Sequence, residues 1–233
     1  MKATLPNAWV AVFLLSSASM AGSGVAATNL LANGSFDDAK DPLTGWVSDY
    51  AWSGNSWYKD NKDRVSVVAT ESGRKQVLRL SGTRQILWGD GQGVKVDSKP
   101  VPFDPDASYK LSLHARTAAK TSNPGPNCRV YIEGYDWKPG IKPHDNPDLS
   151  ELRKVYKQGS GNILYFGEAK SGPFSNPTEA WSTGSCVFPG RSPSEEGGKH
   201  LKQIKFICVH IVAIDGWDGD LFVDDVVLEK RGK

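Results

Sequence analysis

Leu221-Phe222-Val223-Asp224-Asp225-Val226-Val227-Leu228, close to the C-terminus, decides how this chain is read. Six of the eight residues are apolar, and Val and Phe favour a pleated, packed surface. Such a run predicts a strand buried on both faces, interrupted by two adjacent carboxylates. Side chains alternate between faces along a strand, so one carboxylate is expected to point inward. A buried carboxylate is costly unless it is hydrogen-bonded, paired with a cation or bound to a metal. The rest of the chain must supply that partner.

Working outward, the other strong patterns are also strands. Tyr109, Leu111, Leu113 and Ala115 alternate with polar residues across 109–116, and Cys128, Val130 and Ile132 do so across 128–135. Shorter strands are expected at 65–68, 76–80, 92–96, 163–166 and 181–188, and a strongly apolar one at 204–213. Asn33-Gly34, Gly89-Asp90-Gly91 and Gly216-Trp217-Asp218-Gly219 mark turns. Residues 137–161 form a long Pro-, Lys- and Asp-rich connection, with a short helix or irregular strand expected over 149–156. Connections of that length are unusual and often functional.

Residues 1–27 read as a secretory signal peptide. Lys2 precedes the apolar run 8–15, and small residues follow up to Ala27. Residues 28–233 are then one all-β domain of a secreted, periplasmic or extracellular protein. No later segment has the roughly 20 apolar residues of a membrane-spanning helix, so membrane insertion is not expected. The formal net charge is +2 with no basic run, which argues against a nucleic-acid partner. The three cysteines, Cys128, Cys186 and Cys208, fit either buried thiols or one bridge plus a free thiol. Their spacing matches no zinc motif.

Asn29-Leu30-Leu31-Ala32-Asn33-Gly34-Ser35-Phe36-Asp37, then Gly45-Trp46, and at the other end Phe222-Val223-Asp224-Asp225-Val226, resemble the carbohydrate-binding modules of families 4, 9 and 22. The resemblance implies a two-sheet β-sandwich with jelly-roll topology, of the galactose-binding-like group. It also implies a structural calcium held by the side chain of Asp37, a backbone oxygen near Ser35, and Asp224 or Asp225. Calcium takes carboxylate and carbonyl oxygens alike, and a site there would tie the first segment to the last strand. Without metal, Asp37 and one C-terminal Asp would accept backbone hydrogen bonds instead. The family pattern assigns Trp181 a structural role.

The outward faces of two strands suggest the function. Ser112, His114 and Arg116 alternate away from the core on one; Arg129, Tyr131, Glu133 and Tyr135 do so on the next. If the strands are neighbours, these residues form one face of aromatic rings and planar polar groups, rimmed by Trp52, Trp57, Trp88, Trp137 and Trp217. A polysaccharide or glycan suits such a face, with rings stacking on its C–H surfaces and polar groups fixing its hydroxyls. The expected ligand set is His114, Arg116, Arg129, Tyr131, Glu133, Tyr135, Trp137 and Trp88. The alternative for any single aromatic is that it only covers hydrophobic surface at a strand end. His114, Arg116 and Tyr131 also have the chemistry of a polysaccharide lyase: a base, a carboxylate-neutralising cation and a phenol. Glu133 and Asp136 are too close in sequence to make a convincing glycosidase pair. No hydrolase, zinc-protease or phosphate-loop motif is present. A structural or adhesive envelope protein without a sugar ligand is the remaining alternative.

Overall fold

In the computed structural model, the described residues are 28–48, 64–69, 73–88, 93–155, 177–188 and 201–232. The expected signal peptide, Trp52 and Trp57, the expected strand at 163–166, and the side chain of Trp88 lie outside them.

The strands are β1 (Trp46–Ser48), β2 (Val65–Ala69), β3 (Gln76–Gly82), β4 (Val94–Ser98), β5 (Val101–Pro102), β6 (Ser108–Ala119), β7 (Asn127–Trp137), β8 (Leu152–Lys154), β9 (Ser182–Phe188), β10 (Phe206–Ile214) and β11 (Gly219–Arg231). A short helix, α1 (Arg84–Trp88), follows β3. The strands form two antiparallel sheets. One runs β1-β4-β10-β7-β8, with β5 also on β10; the other runs β2-β3-β11-β6-β9. They pack as a β-sandwich with jelly-roll topology, as expected.

Strands β6, β7 and β11 each carry an apolar stripe on the inner face, and β10 is apolar on both faces. Leu111, Leu113 and Ala115 of β6 and Val130 and Ile132 of β7 meet in one core with Val209, Ile211, Leu221 and Val223. Strand β6 stands in one sheet and β7 in the other, so these two stripes meet across the sandwich rather than side by side. Between β10 and β11 the chain crosses in the same way. There the turn packs against the β6–β7 loop so closely that a Cβ on Gly216 would lie 2.4 Å from the Gly125 carbonyl oxygen. Only glycine fits such an approach.

Strand β11 is central, between β3 and β6, but its two carboxylates do not divide between core and surface. The register on β6 shifts between Asp224 and Val227, and Asp225 has φ 48. This bulge takes up one extra residue. Leu221 and Val223 point inward before it, Val226 and Leu228 after it, and both carboxylates remain on the outer side. The inward-pointing carboxylate expected from strict alternation is therefore corrected by the bulge.

The N-terminal segment is laced to β11 beside the bulge. Asn29 Nδ2 donates to the Val226 carbonyl at 2.9 Å, and its Oδ1 accepts from the N–H groups of Leu228 at 2.9 Å and Leu31 at 3.1 Å. Val226 N–H donates to the Gly34 carbonyl at 2.8 Å. A Cβ on Gly34 would meet the Val226 carbonyl oxygen at 2.0 Å, which explains the glycine after Asn33. All three cysteines are buried.

Candidate functional site

The two strand faces expected to form one site are separated. His114 and Arg116 stand on β6 in one sheet; Arg129, Tyr131, Glu133 and Tyr135 stand on β7 in the other. Both sets point away from the shared core, so they lie on opposite sides of the sandwich. The lyase-like set of His114, Arg116 and Tyr131 is divided by the same topology.

On the β7 side, most of the expected ligand residues are occupied. Arg129 is ion-paired to Asp215. Glu133 and Tyr135 are buried, at 5% and 2% exposure. Tyr135 and Cys208 form a second small core with Leu149 and Leu152, against Trp137 and Phe206. Trp137 packs edge-on to Phe206 at 5.3 Å and contacts His144 at 5.1 Å. The long connection therefore covers this face: a 3-10 turn at Leu149–Glu151 followed by β8 places Leu149 and Leu152 on it.

Beneath that cover lies a charged network. His210 on β10 pairs through Nδ1 with Asp97 on β4, and its Nε2 lies 3.1 Å from Glu133 Oε2. Tyr135 donates its hydroxyl proton to Glu133, and Lys154 Nζ lies 2.7 Å from the same carboxylate. Burial works against the His210 cation, but Asp97 and Glu133 outweigh it and raise its pKa to about 10. Burial likewise opposes the Glu133 anion, but His210 and Lys154 lower its pKa to about 2. Burial, then the Glu133 charge, pushes the Tyr135 phenol up; burial, Asp97 and Glu133 do the same to the Cys208 thiol. A general acid or base works best with a pKa near the operating pH. These groups are pushed away from it, and their pairs tie β4, β7, β8 and β10 together. His210 escaped the sequence reading as the one polar residue of an apolar strand, and Asp97 as one of three polar residues in a short strand.

The outer face of the β11 sheet is built differently. In register across three strands stand Arg79, Phe222 and Arg116, with Trp181 just before β9 at the end of the row. Arg116 lies over the Phe222 ring at 4.4 Å and the Trp181 ring at 5.7 Å. Arg74 lies over the Trp181 ring at 4.5 Å.

Arg74 is also what meets the carboxylates of β11. Its Nη1 pairs with Asp224 and lies 2.6 Å from Asp225 Oδ2. Its Nη2 lies 2.5 Å from Nδ1 of His114, which sits directly opposite Asp224. A guanidinium only donates, so that nitrogen is the acceptor. Burial opposes the Arg74 charge, yet the two carboxylates raise its pKa. For Asp224, burial outweighs the Arg74 contacts and raises the carboxyl pKa. Nearby, Asp220 holds Arg79 at 3.0 Å and Lys120 at 2.9 Å. Burial alone would raise the Asp220 pKa; Lys120, Ser81 and Arg79 more than reverse that and lower it.

As arranged, the β11 carboxylates expected to bind calcium have another partner. Both β11 carboxylates are engaged by Arg74. Asp37 is exposed, and among the described residues no group of three or more His, Cys, Asp or Glu side chains lies together. Ser35 lies in the turn hydrogen-bonded to β11 through Gly34. Joining the N-terminal segment to the last strand, the task a calcium was expected to perform, is done by Asn29 and the backbone.

Three residues of the β11 face were missed. Phe222 reads as core within so apolar a run, and Trp181 was given a structural role. Arg74 sits in a Gly73-Arg74-Lys75 turn with no pattern of its own.

No family model and no curated protein matches the chain. Solved structures match in fold. One titled "Family 16 Carbohydrate Binding Module-2" is 21% identical at TM-score 0.42, over 86% of this chain and 99% of that one. The CBM22-1 xylan-binding domain from Paenibacillus barcinonensis Xyn10C is 12% identical at TM-score 0.46, over 89% and 97%. A Stig cyclase from Fischerella sp. TAU is 11% identical at TM-score 0.49, over 88% and 98%. The likeness is one of architecture and carries no argument about ligand or chemistry.

Proposed function

We propose that this is an exported, non-catalytic carbohydrate-binding protein, with residues 1–27 as its signal peptide, and that the outer face of the β11 sheet binds a polysaccharide or glycan. One observation carries the reading: the Trp181 ring is flanked by Arg74 and Arg116, with His114 and the exposed Asp225 alongside. In this reading the ring packs on sugar C–H groups, and the planar donors and carboxylate acceptor around it hold hydroxyls. His114 and Arg116 are thus kept from the expected ligand set. Arg129, Glu133, Tyr135 and Trp137 are reassigned to the covered face, and Tyr131 shares their sheet.

The test is retention of the mature protein on a panel of soluble and insoluble polysaccharides, with the supernatant assayed for cleavage products. Retention without product is expected. Trp181→Ala should weaken it about tenfold, the order of a lost aromatic contact, while Tyr131→Ala leaves it unchanged. Loss with Tyr131→Ala but not with Trp181→Ala would move the site to the other sheet. Product release would overturn the non-catalytic reading.

A further inference from the structure

The charges on the β11 face are not evenly satisfied. Arg74 is neutralised by Asp224 and Asp225, and Arg79 and Lys120 share Asp220. Arg116 is different. Its guanidinium lies over Phe222 and Trp181 and no described residue offers it a carboxylate; its Nε, like that of Arg79, is buried with no hydrogen-bond partner. A buried guanidinium N–H without an acceptor is unfavourable, and native proteins seldom leave one unexplained.

Stacking on two rings restricts the side chain before any ligand arrives. A restricted guanidinium presents its N–H donors as a planar fork, which matches the two oxygens of a carboxylate. Arg74 cannot serve as well, because its Nη1 is already committed to two aspartates. Among the described residues, the face therefore holds a preset cation lacking its anion, next to an aromatic ring.

We infer that the ligand is an acidic glycan, and that Arg116 receives the carboxylate of a uronic acid residue while Trp181 stacks on the sugar ring. This rests on the carbohydrate-binding reading above and names the class of glycan. Selectivity comes from the unpaired cation: a neutral sugar leaves Arg116 unsatisfied, whereas a uronate completes it.

The experiment is affinity electrophoresis of the mature protein through gels containing polygalacturonate or its methyl-esterified form, which share a backbone and differ in charge. Alginate, glucuronoxylan and a neutral xylan serve as further probes, at near-physiological salt. At least one uronate polymer should retard the protein about tenfold more strongly than its neutral counterpart. Arg116→Gln should abolish that difference, and so should Arg116→Lys, which keeps the charge but loses the fork. Arg153→Gln removes the same charge from β8 on the opposite sheet and should leave the difference intact. Thermal denaturation of each variant checks folding, and Arg116→Lys carries the test if Arg116→Gln does not fold. Retention of neutral but not acidic polymers would overturn this inference and leave the binding face standing. Equal losses with Arg116→Gln and Arg153→Gln would reduce the effect to net charge and overturn the role of Arg116. Retention on no polysaccharide would overturn the carbohydrate-binding reading itself.

Discussion

Glu133→Gln tests whether the charged network under the long connection stabilises the fold. Glu133 accepts from Tyr135 and pairs with Lys154 at 2.7 Å and His210 at 3.1 Å. Glutamine preserves its shape and can still accept from Tyr135, but it removes the anion. Lys154 is 31% exposed and can turn to water; His210, 9% exposed, keeps only Asp97. Breaking a buried pair from one side costs about 3–5 kcal/mol, and the retained Asp97 argues for the lower end. The carboxyl shift agrees: a fall from 4.5 to about 2 corresponds to about 3 kcal/mol at 1.36 kcal/mol per unit. For a domain of this size, about 2–4 °C per kcal/mol gives a Tm lower by about 6–12 °C. The pH dependence has a definite sign. His210 is raised from 6.5 to about 10, so its contribution is complete below pH 6.5 and is lost as pH climbs towards 10. Glu133 is depressed, so its contribution is complete above pH 4.5 and is lost as pH falls towards 2. Because both shifts share one interaction, they do not add. Thermal melts followed by circular dichroism from pH 3 to 10 should show greatest stability near pH 5–6, with the alkaline decline weakened in Glu133→Gln. A Tm within about 2 °C of the parent, or a parent Tm that is flat from pH 6.5 to 10, would refute this account.

Other outcomes follow from the same geometry. Adding a chelator should leave the Tm within about 1 °C, because Asn29 and the backbone join the N-terminal segment to β11; a drop of several degrees reversed by calcium would restore the metal site. Asn29→Ala removes three hydrogen bonds and should lower stability by about 1–3 kcal/mol in urea titrations. Gly34→Ala forces a Cβ to within 2.0 Å of a carbonyl oxygen and should lower the Tm more than Gly73→Ala. A Cβ at Gly73 would meet no neighbour within 4 Å, so alanine there bears only the backbone strain of φ 80.

The strands were legible because alternation is local. The expected runs at 109–116, 128–135 and 204–213 all lie within or overlap β6, β7 and β10. The candidate site was legible only in part. His114 and Arg116 belong to it, but their supposed partners Arg129, Tyr131, Glu133 and Tyr135 do not. Nothing local to residues 108–137 states whether two alternating strands pair edge to edge or stack face to face. The side-chain pattern is the same in either case.

The amino-acid sequence by itself determined the strand content, the inward stripes and the need for a partner to the carboxylates of β11, because burial and pleat alternation act on neighbouring residues. Tertiary structure alone decided which residues share a face. It set β6 against β7 across the core, covered Glu133 and Tyr135, and brought Arg74 to Asp224 from 150 residues away. A bulge of one residue was enough to turn both carboxylates outward, because a shift of one position moves every following side chain to the other face.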